Sequence, residues 1–221
     1  NADAEIWWDS SPLIFPSWRE ETLAKAPEGK LAEWTAQLDR FYDAGTIASE
    51  GTMGFRGVTT NPPLSLQAIK LAPELWAAEI KTIARNNPGL DYEGVYWAMY
   101  LDLVKKGADA IRPVFDKSGG KYGFLSGQVD PRYVRDGDKM LAQGLQIYAQ
   151  GANVMVKLPG SKEGYEVLEE LTARGISTNN TTSFTVPQYM RCMAAVSAGL
   201  YRAKAAGVDL SQLRIIDASP R

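Results

Sequence analysis

The sequence predicts an α/β fold assembled from repeated βα units, and three observations carry that expectation. Short apolar or β-branched runs alternate with longer stretches whose apolar residues recur at helical spacing. Glycines Gly151, Gly175 and Gly207 stand just after three of the longer stretches, where helices end. No linker or low-complexity segment interrupts the series, so residues 1–221 read as one domain. Strands repeatedly separated by helices leave two architectures, a doubly wound open sheet and a (β/α)8 barrel.

Taken in order, the candidate strands are 5–9, 57–60, 123–129, 153–158, 175–178 and 213–217. The first is built on Ile6-Trp7-Trp8, the second on Val58-Thr59-Thr60 and the fourth on Val154-Met155-Val156. Between them, 32–42 carries Trp34, Leu38 and Phe41, and 92–106 carries Val95, Met99, Leu103 and Val104. The stretch 133–150 carries Val134, Met140, Leu141, Leu145, Ile147 and Tyr148, while 164–174 and 188–206 complete the helices. These apolar faces are core faces, and Trp18, Trp34, Trp76 and Trp97 are expected mostly in the core. Neither G-x-G-x-x-G nor G-x-x-x-x-G-K-[ST] occurs; Gly119-Gly120 precedes a strand and reads as a turn, not a phosphate loop.

Composition narrows the chemistry. The 221 residues contain no histidine and one cysteine, Cys192. Ser-His-Asp and Cys-His catalysis, His-ligated zinc, cysteine-ligated clusters and an intramolecular disulfide are thereby excluded. Proton donors, acceptors and nucleophiles must come from Lys, Asp, Glu, Tyr, Ser and Thr, or from a bound cofactor. With scattered carboxylates and no phosphate loop, neither a metal nor a cofactor is expected. A net charge of −2 without a basic run argues against nucleic acid and membrane surfaces. Apolar stretches are broken within about eight residues, against roughly 20 for a bilayer span. The N-terminus has no secretory pattern, so a cytoplasmic location is expected. The missing initiator Met points to trimming, and the sequons at Asn179 and Asn180 are read as accidental.

Polar residues close the strands: Asp9, Asn61, Gln128, Lys157, and Asn179 with Thr181. In a parallel barrel such strand ends converge on one face, where the active sites of that fold lie. Lys157, set among Val154, Met155, Val156 and Leu158, is the sharpest feature. Desolvation disfavours an ammonium, and a neutral amine is a nucleophile toward a ketone or aldehyde. Singly, each position also has a plain reading. A strand-end lysine snorkels to water, Asp9 and Asn61 precede prolines as turn or cap residues, and 179–183 suits an N-cap region before the helix following Pro187.

The same residues form motifs in a known order. Ile6-Trp7-Trp8-Asp9 and Gly57-Val58-Thr59-Thr60-Asn61-Pro62-Pro63-Leu64 resemble the I-W-L-D and G-V-T-T-N-P-[ST] of transaldolases, most closely their long bacterial subfamily. The stretch from Arg112-Pro113-Val114-Phe115-Asp116 to Gln128-Val129-Asp130-Pro131-Arg132 is similar to the segment ending in E-V-[DS]-P-R. Val156-Lys157-Leu158-Pro159-Gly160 with Glu163-Gly164 resembles V-K-[IL]-P-…-E-G, and Gly175-Ile176 with Asn179 and Thr181 resembles G-I-x-x-N-x-T. The resemblance covers roughly residues 5 to 188.

It implies a (β/α)8 barrel and class I chemistry, in which a lysine forms an imine with C2 of a ketose phosphate. A dihydroxyacetone unit is then passed to an aldose phosphate, a pentose phosphate reaction of carbohydrate metabolism. Lys157 corresponds to the Schiff-base lysine and Asp9 to the acid/base. Thr181 and Gln128 correspond to the residues that position the catalytic water, Asn61 and Asn179 to those holding the dihydroxyacetone hydroxyls. Arg221 corresponds to a phosphate-binding arginine. The implied partners are small sugar phosphates, with homo-oligomerisation left open.

Two departures bear on the reaction. Transaldolases carry Glu where Gln128 stands, and an amide orients a water without taking its proton. Related aldolases carry Gln there, so a fructose-6-phosphate-type aldolase is the alternative, with a non-catalytic sugar-phosphate-binding relative behind it. The second departure is that six strands are counted where a barrel has eight. The helical insert 24–54 consumes length that compact aldolases spend on βα units, so the C-terminal part of the barrel is expected to be missing from this chain.

Overall fold

A computed structural model describes residues 5–43 and 54–217. Arg221 and residues 44–53 of the 24–54 insert therefore lie outside the described residues. Among those described, the expected α/β succession is present: six strands follow one another in chain order, β1 to β6, as in the first six βα units of a (β/α)8 barrel. The chain divides into two compact units, Asn1–Leu125 and Ser126–Arg221.

In the first unit, β1 (Ile6–Asp9) leads through a 3-10 turn into α1 (Phe15–Leu23) and α2 (Leu31–Tyr42). Strand β2 (Phe55–Thr59) follows, then α3 (Pro62–Leu71), α4 (Pro73–Asn86) and α5 (Tyr92–Lys117). Strands β1 and β2 are parallel, with Trp7 opposite Gly57 and Asp9 opposite Thr59. Three helices, α1, α3 and α4, go beyond the sequence expectation. Each has proline in its first helical positions; Asn61 caps α3, whereas Ser11 caps the 3-10 turn that precedes α1. Helix α5 continues past the expected 106 and through Pro113, because Ile111, Val114 and Phe115 bury its last turns. That burial outweighs a break costing about 3 kcal/mol.

Ile14, Ala68, Trp76, Met99 and Leu103 form the core, with Trp8 packed against it. Trp8 stacks on Phe55 at 5.5 Å and meets Phe15 edge-on at 5.7 Å. Of the four tryptophans expected in the core, Trp76 is buried, whereas Trp18, Trp34 and Trp97 are half-buried. Gly119 and Gly120, both at positive φ, make the expected turn before β3 (Phe124–Gln128).

The second unit runs through a 3-10 turn at Pro131–Tyr133, then α6 (Gly137–Tyr148), β4 (Val154–Pro159) and α7 (Lys162–Ala173). It ends with β5 (Thr178–Thr181), α8 (Val186–Ala205) and β6 (Ile215–Asp217). Its strands pair in parallel, β4 with β5 and β5 with β6. Val156 packs toward Gly144 and Leu171, so one face of β4 is turned to α6 and α7. Leu158, Leu168 and Leu171 are wholly buried there.

Three expectations change. The stretch 133–150 divides, because Asp136 caps α6 by accepting from the Lys139 amide. The strand expected at 175–178 lies three residues later. Gly175, at φ 73°, closes α7, and the Ile176 amide bonds back to Leu171, so pairing starts at Thr178. Backbone pairing is indifferent to side-chain polarity, which is why Asn179-Asn180-Thr181 makes a strand. Gly207 likewise ends α8 at φ 69°, but Gly151 is not among the left-handed glycines.

Helices α7 and α8 meet at Gly199, where a Cβ would lie 2.6 Å from the Glu169 carbonyl oxygen and the Thr172 Cβ. Gly199→Val is expected to lower stability by about 2 kcal/mol or more, the scale of an overpacked contact. Gly89→Val, with nothing within 4 Å of a Cβ there, is the control, and urea unfolding monitored by circular dichroism separates the two.

Candidate active site

Strand β4 supplies the lysine. Because Val156 faces the helices, alternation turns Lys157 to the opposite face, and it is only 7% exposed. A parallel ladder places register partners on the same face, and Lys157 is opposite Asn179. Asn179 is wholly buried; its Nδ2 donates to Ser126 Oγ at 2.9 Å, while its Oδ1 is buried with no hydrogen-bond partner. Ser126 and Gln128 share one face of β3, and Asn179 and Thr181 share one face of β5, by the same alternation. Ser126, Gln128, Lys157, Asn179 and Thr181 thus form one polar face in the second unit. A buried acceptor without a donor costs about 1–3 kcal/mol. Such a group needs an explanation, and a ligand that donates to it is one.

The ends of β4 and β5 are held together by a backbone hydrogen bond, and a turn follows β5. The Gly160 amide donates to the Thr181 carbonyl at 2.7 Å, and Thr182 sits at φ 66°, rare for a non-glycine residue. A Cβ on Gly160 would lie 2.6 Å from Ser183 Oγ and 3.0 Å from the Thr182 carbonyl oxygen, so only glycine fits. Gln188, which closes a capping box with Thr185, also donates to the Gly160 carbonyl. The cap of α8 is therefore Thr185, and the expected N-cap region at 179–183 is a strand followed by this turn.

In the first unit, Asp9 lies exposed at the end of β1, and Thr59 Oγ1 donates to its Oδ1 at 2.7 Å. The Trp7 indole lies against Gly57, leaving no room for a side chain there; Trp7 and Gly57 are register partners two residues before Asp9 and Thr59. Asn61 caps α3, its Oδ1 accepting from the Leu64 amide at 2.9 Å. That is the plain role foreseen for it, and it aligns its side chain with the helix N-terminus.

Ser126, Thr59 and the residues around Ser183 escaped sequence reasoning. Period-two alternation from Gln128 points to Ser126, whereas the contact between Thr59 and Asp9, fifty residues apart, has no local signal.

Asp130, in the Asp-Pro-Arg turn after β3, is buried and holds Arg132 through hydrogen bonds of 2.6 and 2.9 Å. Burial raises its carboxyl, but the Arg132 hydrogen bonds and charge outweigh this and hold it below the usual value. Cys192 goes the other way. Burial, aided by the Asp217 charge, pushes its thiol up to about 11, so it stays protonated and unreactive at neutral pH.

Residues 42–210 match the family model for transaldolase/fructose-6-phosphate aldolase. Among curated proteins, Transaldolase 1 of Streptomyces coelicolor is 36% identical over 198 residues, 88% of this chain and 51% of that protein. Transaldolase 1 of Streptomyces avermitilis is 36% identical over 162 residues, 72% of this chain and 42% of that one. The transaldolase of Mycobacterium ulcerans is 30% identical over 202 residues, 90% and 53% respectively. The chain spans about half the length of the curated relatives it matches. Among the described residues, no helix is long and apolar enough to cross a membrane.

The depressed Asp130 pKa predicts a pH-dependent contribution. It is full above the ordinary carboxylate value of 3.8 and is lost as pH falls through the lower folded value. Asp130→Asn should therefore cost about 1 kcal/mol at pH 7, after discounting for the half-exposed Arg132, and the gap to the parent should close toward pH 2 in urea melts.

Proposed function

The chain belongs to the transaldolase/fructose-6-phosphate aldolase family, and from that premise we propose that it carries the imine-forming machinery of a transaldolase. The observation that carries the reading is the buried Lys157 in register with Asn179, whose buried Oδ1 lacks a donor. A polyhydroxy ketone held at Lys157 supplies such a donor.

In this reading, the Lys157 amine adds to C2 of a ketose phosphate and water leaves, giving an iminium. Asp9 takes the proton of the C4 hydroxyl as the C3–C4 bond breaks. The aldose phosphate departs, and the bonding electrons pass into the iminium as an enamine. The enamine then attacks the aldehyde of a second aldose phosphate, and a water oriented by Thr181 and Gln128 hydrolyses the new imine. Asn179 and Asn61 hold hydroxyls of the dihydroxyacetone portion. Asp9 donates and accepts a proton through a carboxylate whose orientation the Thr59 hydroxyl sets. Sugar phosphates are the partners, the cytoplasm the setting, and no metal or organic cofactor takes part.

Gln128 favours a second reading. An amide cannot accept the proton that a glutamate takes, which weakens the steps that move a proton through water and leaves carbon–carbon bond formation intact. In that reading the protein joins free dihydroxyacetone to an aldehyde, as an aldolase.

Sodium borohydride reduction in the presence of fructose 6-phosphate is expected to leave a dihydroxyacetone-derived adduct on the peptide containing Lys157, read by mass spectrometry. Lys157→Ala should abolish it, and a protein that shows no adduct overturns the imine reading. Gln128→Glu is expected to raise transfer about tenfold or more relative to aldol formation from free dihydroxyacetone, measured as the ratio of the two products.

A further inference from the structure

Behind the polar face, on the helix side of β5, lies a second set of buried polar groups. Asn180 is 1% exposed and is the register partner of Leu158, which packs toward the helices. Its Nδ2 donates to Ser183 Oγ at 2.8 Å and to Asp217 Oδ1 at 3.2 Å. Carboxylate oxygens only accept, so this pairing fixes which way the amide points. Ser183 Oγ shares a further hydrogen bond of 2.8 Å with the Tyr165 hydroxyl. Tyr165 is 5% exposed and comes from α7, so the chain Asp217, Asn180, Ser183, Tyr165 links β6, β5 and α7.

Packing alone does not call for these groups. Buried hydroxyls and amides cost free energy unless mutually bonded, and apolar residues of the same shape fill such space as well. What an apolar filler lacks is the means to fix Ser183 Oγ in place. Ser183 follows Thr182, whose left-handed backbone costs about 1 kcal/mol or more and persists only where neighbours hold it. The same serine packs against Gly160, whose amide holds the Thr181 carbonyl. Pinning Ser183 thus sets where Thr181 stands relative to the strand of Lys157.

We propose that Tyr165, acting through Ser183, is a positioning residue that holds Thr181 and the end of β5 against the Lys157 strand. The inference rests on the function proposed above, in which Thr181 orients the hydrolytic water. Water leaves as the imine forms and returns as it is hydrolysed, over the same barrier, so a displacement of Thr181 by a fraction of an ångström slows both steps without moving the equilibrium between them.

The test compares the protein with Tyr165→Phe, Ser183→Ala and the double variant. Each is mixed with fructose 6-phosphate, quenched with borohydride at intervals, and scored for adduct on Lys157 as it forms and as it decays after substrate removal. Formation and decay are both expected about tenfold slower in either single variant, with the adduct plateau within about twofold of the parent and no further loss in the double. Unchanged rates, or a plateau lowered with unchanged rates, overturn the proposal, because loss of folded protein lowers the amount of adduct and not its rate constants. A parent that forms no adduct overturns the imine reading instead. Hydrogen exchange at the Gly160 amide then decides separately: several-fold faster exchange in Tyr165→Phe supports the pinning, and unchanged exchange overturns it.

Discussion

The parallel pairing of β4 with β5, in the register that sets Lys157 opposite Asn179, is the constraint on which the second unit depends. A slip of one residue would exchange the two faces of β5. Asn180 and Thr178 would turn toward Lys157, and Asn179 and Thr181 toward the helices. Two devices oppose the slip. Val156 and Leu158 must face α6 and α7 to stay buried, and Gly160 admits the Thr181–Ser183 turn only because it has no side chain. Hydrophobic burial and a steric requirement thus act on the same register, one from each end of the strand.

The first unit places Asp9 in a different way. Trp8 commits one face of β1 to the aromatic and aliphatic core, which leaves Trp7 and Asp9 on the other. Gly57 accommodates the Trp7 ring, and Thr59 fixes the carboxylate. Both arrangements use a strand whose two faces have unlike tasks, one packing and one polar. That division lets a strand present polar groups on one face and at its end while the other face stays committed to the core.

A chain without histidine has few ways to move protons near neutral pH. The proposed imine chemistry suits that limit, because in it the lysine supplies nucleophile and electron sink together, leaving one carboxylate for the proton. The lone cysteine is no substitute, since burial keeps Cys192 a thiol. The Asn179 oxygen, buried without a hydrogen-bond partner, costs stability in the free protein, and in the proposed function a substrate hydroxyl is what satisfies it.

Composition by itself determined the classes of chemistry that are excluded, and hydrophobic periodicity determined the alternation of strands and helices, because both depend on residues near one another in the chain. The ordered motifs around Asp9, Asn61, Gln128, Lys157 and Asn179 marked the residues that resemble a catalytic set. Proline-led helix starts at Pro62 and Pro73 were written there too but are weak signals without the packing that sustains them. Only the tertiary structure decided that the polar stretch at 178–181 is a strand, since its pairing partner is β4 and backbone hydrogen bonds ignore side-chain polarity. It alone joined Thr59 to Asp9, Ser126 to Asn179, and Tyr165 through Ser183 to Asn180 and Asp217. Those contacts span from 3 to 53 residues. Most of them form only after parallel strands, which cannot pair until a helix has carried the chain back, are in register.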